Sequence, residues 1–240
     1  MIDIHSHILY GIDDGAPDID ESIAIIKNLQ KLGFDKIIAT PHYIENTEYI
    51  TGNKKKKEIL NKLKKGLQIS EIEIDIYLGN EIYLSEEILK KIEGKQISPL
   101  NGSSYLLIEL PLVERYKHAL DMLTNIQCKG YKIILAHPER YYIFQENPEL
   151  IEEYLDAGIL LQGNISSLDG RYGRKAKKLC KKLLKERKYF ALASDTHRSN
   201  SKLFTNFEKL KKKIIKWTDE SYFKKLFLDN PMKIVENKKI

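Results

Sequence analysis

The chain has 240 residues, of which 42% are hydrophobic and 31% are charged, with a formal net charge of +6 at pH 7. This length is sufficient to bury the core of one α/β barrel, and no apolar run approaches the roughly 18 residues that a membrane-spanning helix needs. The polar start of the chain is unlike a signal peptide, so a cytoplasmic location is expected. Two cysteines, Cys128 and Cys180, are too few for a disulfide framework or a zinc knuckle.

The lysine runs 54–57 and 211–213 lie in segments that also carry glutamates and apolar residues at helical spacing. This pattern is typical of a solvated helix face. We therefore predict exposed lysines in both runs and no nucleic-acid site.

Short apolar runs alternate with amphipathic segments along the chain. The predicted strands are 1–5, 36–40, 73–79, 105–110, 132–136, 159–163 and 189–194. Apolar residues recur every three or four positions in 19–32, 59–67, 118–126, 151–155 and 176–184, which predicts helices there, and Ser85 is the expected start of another. This alternation predicts a parallel sheet with right-handed crossovers.

Potential metal ligands stand where the predicted strands end. They are His5, His7, Asp13, Asp14, His42, Glu81, Glu109, His137, Asp195 and His197. Imidazoles and carboxylates suit hard or borderline divalent metals, and a closed barrel brings all its strand ends to one rim, which an open sheet does not. We predict a single domain over 1–240, a (β/α)7 barrel with a metal site at the carboxyl ends of its strands and with 219–240 as additional helix outside it.

The motifs DIHSHILYGIDDG, ATPHY, LGNEIY, AHPERY, QGNISS and ASDTHR resemble, in this order and over nearly the whole chain, the PHP (polymerase and histidinol phosphatase) superfamily. The chain is most similar to its manganese-dependent protein tyrosine phosphatases of bacterial capsule and exopolysaccharide gene clusters. Histidinol phosphatases usually have a histidine where this chain has the DDG carboxylates. The resemblance implies a distorted barrel of PHP type.

The resemblance also implies a site for three divalent ions, with Mn expected first and Fe or Zn as alternatives. One ion would take His5, His7, Glu81 and Asp195; a second would share Glu81 and add Glu109 and His137; the third would take Asp14, His42 and His197. The residues alone do not distinguish Asp13 from Asp14 as the ligand; the family pattern implies Asp14, with Asp13 orienting one of the ligands from behind.

The implied reaction is hydrolysis of phosphotyrosine by a hydroxide that the ions activate. Arg140 and Arg198 would bind phosphate oxygens, with an ion pair to Glu139 or to an acidic residue of a loop as the alternative role of Arg140. Asp195 or His197 would protonate the leaving group, and Tyr43 and Tyr141 would either flank the substrate ring or pack in the core. The implied substrate is the tyrosine-phosphorylated tail of a membrane-associated capsule kinase, which the enzyme would meet without inserting into the membrane.

Other functions are also considered. A cysteine-dependent tyrosine phosphatase is excluded because the C-x5-R motif is absent: Ile134 and Glu186 stand six residues after the two cysteines. A small phosphomonoester such as histidinol phosphate is the alternative substrate. An amidohydrolase is less compatible, because its binuclear form commonly uses a carbamylated lysine where this chain has Glu109. A metal-binding module without enzymatic activity is the fourth alternative.

Overall fold

A computed structural model describes residues 1–113 and 118–237, in which parallel strands alternate with helices. The strands are β1 (Ile2–Ser6), β2 (Lys36–Ala39), β3 (His42–Tyr43), β4 (Asp75–Leu78), β5 (Glu81–Tyr83), β6 (Tyr105–Glu109), β7 (Lys132–Ala136), β8 (Leu160–Asn164) and β9 (Ala191–Ala193). Every described strand pair is parallel. The predicted parallel α/β fold is confirmed.

The strands form two sheets, in the orders β1-β2-β4 and β3-β5-β6-β7-β8-β9. The chain moves from the first sheet to the second at two breaks, residues 40–41 between β2 and β3 and residues 79–80 between β4 and β5. The sequence did not predict β3 and β5, because strands of two and three residues are too short to show a hydrophobic period. Within the described part of the chain, the strand pairs do not form a closed ring.

The first and last strands nevertheless lie together at their carboxyl ends. One isolated parallel bridge joins Ser6 to Thr196. The buried carboxylate of Asp3 accepts hydrogen bonds from Ser194 N at 3.0 Å and Ser194 Oγ at 2.5 Å, and Asp195 N donates to His5 O at 2.9 Å. These bonds bring residues 5–7 and 195–197 to one side of the molecule.

The helices are α1 (Ile19–Lys31), α2 (Asn53–Ile69), α3 (Ile88–Glu93), α4 (Ala119–Cys128), α5 (Tyr142–Glu146), α6 (Leu150–Asp156), α7 (Gly173–Lys185), α8 (Lys202–Trp217), α9 (Glu220–Lys224) and α10 (Asn230–Val235). The five helices predicted from apolar spacing are present, and α8 contains the lysine run 211–213 that indicated a solvated helix face. Ser85 does not start α3 as expected, because the helix begins at Ile88 and the Ser85 hydroxyl donates to Glu45 instead. No helix among the described residues is both long and apolar enough to cross a bilayer.

Apolar side chains of the strands alternate between two clusters. In β6, Leu106 and Ile108 enter the larger cluster with the helices, whereas Tyr105 and Leu107 enter a smaller one that lies among the strands themselves. Since successive strand residues face opposite sides, these strands are buried on both faces, as parallel strands usually are.

The carboxy-terminal segment is helical, as predicted, and packs against the amino ends of the strands. It forms α9, a π-helical turn at Lys225–Asp229 and α10, and residues 238–240 lie outside the described part. Ile234 belongs to the smaller apolar cluster together with Ile2 and Tyr105, the first residues of β1 and β6. The segment therefore covers the amino ends of the strands and buries Ile234 there.

The prediction that all four lysines of 54–57 are solvated was wrong for one of them. Lys54, Lys55 and Lys57 are exposed, but Lys56 is fully buried. Its helical position, three residues before the buried Ile59, places it on the inward face of α2.

Candidate metal centre

The carboxyl ends of the strands surround one cleft of about 660 Å³. Three groups of side chains there each place their donor atoms within 4.8 Å of one another. The groups are His5, His7, Glu81 and Asp195; His7, Asp14, His42 and His197; and His42, Glu81 and Glu109. All nine residues predicted as metal ligands therefore lie in or beside this cluster, with His137 added by the contacts described next.

Glu81 is at the centre of the cluster. Its Oε2 atom lies 3.1 Å from His5 Nε2, 3.2 Å from His7 Nε2 and 3.1 Å from His42 Nδ1. Its Oε1 atom lies 2.9 Å from His137 Nε2, and that nitrogen is 3.5 Å from Glu109 Oε1. A carboxylate so placed has one oxygen for each of two neighbouring cations.

The two aspartates of the GIDDG motif take different positions. Asp13 Oδ2 lies 2.8 Å from His7 Nδ1 and accepts a hydrogen bond from His42 N at 3.1 Å, so it supports two histidines from behind. Asp14 Oδ1 faces the cleft, 3.5 Å from His42 Nε2 and 3.3 Å from His197 Nε2. This loop requires glycine at position 15, because a Cβ atom there would lie 2.2 Å from His7 O and would clash with it.

Gln162, to which the sequence analysis assigned no role, orients His5. Its Oε1 atom lies 2.8 Å from His5 Nδ1, and its Nε2 atom donates to Asn164 Oδ1 at 3.0 Å. A hydrogen bond to one ring nitrogen fixes the histidine tautomer and leaves the other nitrogen free to bind a metal. Gln162 was in the quoted QGNISS motif, but only the fold brings it to His5.

Two residues of the cluster have a left-handed backbone. His137 has a φ of 31° and Asp195 has a φ of 47°. Side chains other than glycine rarely adopt this conformation, and such strain concentrates at functional sites. His137 directly follows β7 and Asp195 stands two residues after β9, so at both positions a polar side chain joins the cluster just beyond the carboxyl end of a strand.

Burial and neighbouring charges shift the pKa values of the residues in the cluster. Burial would lower the pKa of His5, but the charges of Glu81 and Asp195 outweigh it and raise the pKa to about 9. Burial would likewise raise the pKa of Glu81, yet His5 and His42 hold it well below its usual value. Burial and the charge of Glu81 raise the pKa of Glu109 well above its usual value. The cluster thus takes up protons to offset its negative charge.

These features fit divalent cations. Burial lowers the pKa of His42, and burial with Arg140 lowers the pKa of His137 to about 4, so both rings favour the neutral form that binds metals. The buried Nδ1 atom of His137 has no hydrogen-bond partner among the described residues, and the buried Nδ1 atom of His42 has only its 3.1 Å contact with Glu81 Oε2. Such buried polar atoms are costly unless another ligand binds them. Bound cations would replace the protons on His5 and His7.

The two predicted arginines border the same cleft. Arg140 is 20% exposed, donates from Nη1 to Asp195 Oδ2 at 3.0 Å, and lies over the Tyr172 ring at 4.4 Å. It does not pair with Glu139, whose buried carboxylate accepts hydrogen bonds from Ser167 Oγ and Tyr189 OH. Arg198 is exposed and donates to the backbone oxygens of Asp14, Gly15 and His197.

The aromatic residues of the cleft differ from those predicted. Tyr141 is fully buried and its hydroxyl donates to Ala136 O, and Tyr43 is nearly buried, so neither lines the cleft. Tyr49, Tyr83 and Tyr172 line it instead. Tyr49 and Tyr172 lie in loops, where hydrophobic periodicity gives no indication of orientation.

The chain is similar to known proteins over most of its length. A family model for capsular polysaccharide synthesis, CpsB/CapC, matches residues 1–236. CapC of Staphylococcus aureus is 36% identical over 204 residues, which cover 85% of this chain and 80% of that protein. Tyrosine-protein phosphatase YwqE of Bacillus subtilis is 33% identical over 210 residues, covering 88% and 82%.

A crystal structure from work on YwqE of Bacillus subtilis and CpsB of Streptococcus pneumoniae, described as metal-dependent tyrosine phosphatases, superimposes with a TM-score of 0.88. It is 29% identical to this chain, and the match covers 100% of this chain and 96% of that one. The similarity therefore extends over the whole fold and includes every strand that contributes to the cluster.

Proposed function

The chain belongs to the CpsB/CapC family of capsular polysaccharide synthesis, and we propose on this basis that it is a metal-dependent protein tyrosine phosphatase. One observation supports the proposal independently of family membership: a buried cluster of histidines and carboxylates opens into the same cleft as Arg140. Cations and a guanidinium group together suit a phosphate ester.

We propose ligands for three Mn²⁺ ions, grouped as the family resemblance implies. His5, His7, Glu81 and Asp195 would hold the first; Glu81, Glu109 and His137 the second; and Asp14, His42 and His197 the third. The contacts of Glu81 with four histidines support its role as the shared ligand. When bound, the ions would offset the phosphate charge and lower the pKa of water.

Arg140 would orient the phosphoryl group. Its guanidinium is held by Asp195 on one side and by the Tyr172 ring on the other, so little side-chain freedom is lost on binding. Asp195 would be an ionised hydrogen-bond acceptor in this arrangement rather than the acid, because its Oδ2 atom already accepts hydrogen bonds from Arg140 and Asn164. Arg198, at the exposed rim, would contribute charge.

The leaving group and the cleft walls favour phosphotyrosine. A phenol has a pKa near 10 and leaves more readily than an alkyl alcohol, so little help from an acid such as His197 is required. Tyr49, Tyr83 and Leu112 border the cleft and offer apolar surface for a phenyl ring. An alkyl phosphate would not use this surface.

A tyrosine-phosphorylated kinase tail is the proposed substrate, since a disordered segment can enter a rim site.

We also propose a seven-stranded barrel, in which β2 is counted together with β3 and β4 together with β5. The contact between β1 and β9 supports this barrel. A single domain over 1–240 is consistent with a site that draws on strands from β1 to β9. The cytoplasmic location remains a prediction.

A substrate comparison tests the proposal. With Mn²⁺-loaded protein, kcat/KM should be higher for a multiply phosphorylated tyrosine peptide than for a phosphoserine peptide of the same sequence or for histidinol phosphate. Arg171 and Arg198 border the cleft, so the advantage of the peptide should shrink as salt screens the attraction. Histidinol phosphate as the best substrate at every salt concentration would instead support the alternative phosphomonoesterase.

A further inference from the structure

A buried lysine lies where β4 gives way to β5. Lys56 is fully buried, and its Nζ atom donates to Gly79 O at 3.2 Å and to Asn80 Oδ1 at 2.5 Å. It forms no ion pair with any described residue. Burial lowers the pKa of Lys56 to about 7, and a neutral amine has two donors, which equals the number of acceptors it meets.

Asn80 extends this contact to the other break in the strands. Its Nδ2 atom donates to Pro41 O at 3.0 Å, while its Oδ1 atom also accepts from Ser98 N at 3.1 Å. The backbone oxygens of Gly79 and Pro41 lie at the two breaks, outside the strands themselves. Lys56 and Asn80 therefore satisfy buried acceptors at the points where the chain changes sheets.

The residues that follow the two breaks both belong to the metal cluster. His42 comes directly after Pro41, and Glu81 comes directly after Asn80. The two are paired in register between β3 and β5, and Glu81 N also donates to Pro41 O at 3.2 Å. A movement of either break would change the separation of the Glu81 carboxylate and the His42 ring.

We propose that Lys56 and Asn80 are positioning residues, which hold the two strand breaks against each other and thereby fix Glu81 relative to His42. The proposal rests on the proposed function, in which both of these residues bind ions. Groups behind metal ligands commonly change metal affinity roughly 10- to 100-fold when they are removed.

The first measurement is hydrogen exchange on metal-free protein. Lys56→Met keeps the length of the side chain but removes both donors, and Lys57→Met changes the exposed neighbour in the same helix. We expect faster exchange in the segment 79–83 for Lys56→Met only, with the β6 segment 105–109 still protected. Urea unfolding monitors global stability in each variant.

The second measurement is calorimetric titration with Mn²⁺. For Lys56→Met we expect at least one ion to bind roughly 10- to 100-fold more weakly than in the wild type, and for Lys57→Met no change. Asn80→Ala retains the lysine but breaks the link to Pro41, and it should weaken the same ion. This variant decides the matter if Lys56→Met fails to fold.

Wild-type Mn²⁺ affinity in both Lys56→Met and Asn80→Ala would overturn the positioning role, even if local exchange is faster, because the contact would then be only structural. If the wild-type protein binds no Mn²⁺, the proposed function fails. In that case, hydrogen exchange in the metal-free protein still tests whether Lys56 holds the strand breaks together. Unchanged exchange at 79–83 in Lys56→Met would reject this structural role, and faster exchange would support it.

Discussion

Replacing His5 and His7 together by alanine should reduce hydrolysis of phosphotyrosine by roughly 10³-fold or more, because cations contribute several kcal/mol to stabilising a phosphoryl transition state. Both rings direct Nε2 at Glu81, and their Nδ1 atoms are held by Gln162 and Asp13. No other side chain can replace two donors in this buried position. Elemental analysis should show fewer bound ions, with the circular dichroism spectrum retained.

The matched control is the removal of both thiols. Cys128 is exposed and Cys180 is buried with its sulfur 4.0 Å from Asn164 O, on a helix rather than at the cleft. Cys128→Ser with Cys180→Ser should therefore retain nearly full activity and metal content. Equal loss of activity in the two double variants, with both folded, would reject a metal-borne reaction.

Arg140→Ala should lower kcat/KM for a phosphotyrosine peptide while metal content stays unchanged. A guanidinium that contacts the transferring phosphoryl group contributes roughly 2 to 4 kcal/mol to transition-state stabilisation, which corresponds to a loss of roughly 30- to 1000-fold. Arg140→Lys should restore only part of this loss, because an ammonium group lacks the planar pair of donors. Steady-state kinetics and elemental analysis of the same samples give the kcat/KM and the metal content of each variant.

Arg174→Ala is the control for a general loss of positive charge, because this exposed arginine does not border the cleft. It should have little effect at moderate salt. If Arg140→Ala instead loses metal and keeps its kcat per bound ion, then Arg140 serves mainly to hold Asp195, and its assigned role in binding phosphate is wrong.

Much of this site follows from sequence because strand ends are easy to predict. The apolar runs 105–110 and 132–136 coincide closely with β6 and β7, and their potential ligands are Glu109, the last residue of β6, and His137, which directly follows β7. The family resemblance then supplied the grouping of ligands, which spacing alone did not. The structure places those residues in one cluster.

The sequence could not reveal features that depend on long-range packing. Lys56 is of the same residue type as its exposed neighbours, and the acceptors that bind its buried amine lie at the break between β4 and β5, which the sequence does not indicate. Gln162 reaches His5 across 157 positions of the chain. Tyr43 adjoins His42 and Tyr141 adjoins Arg140 in sequence, yet both side chains are buried. Tyr43 faces the side of β3 opposite to His42, and the Tyr141 hydroxyl donates to Ala136 O.

The central claim, a metal-dependent phosphotyrosine phosphatase, is tested most directly by phosphate release from a tyrosine-phosphorylated peptide. One preparation is measured as purified, after chelation that elemental analysis shows to be complete, and after Mn²⁺ is restored. We expect activity to disappear on chelation and to return in proportion to the ions bound, while the protein stays folded throughout. Full activity in the completely chelated protein would contradict the account.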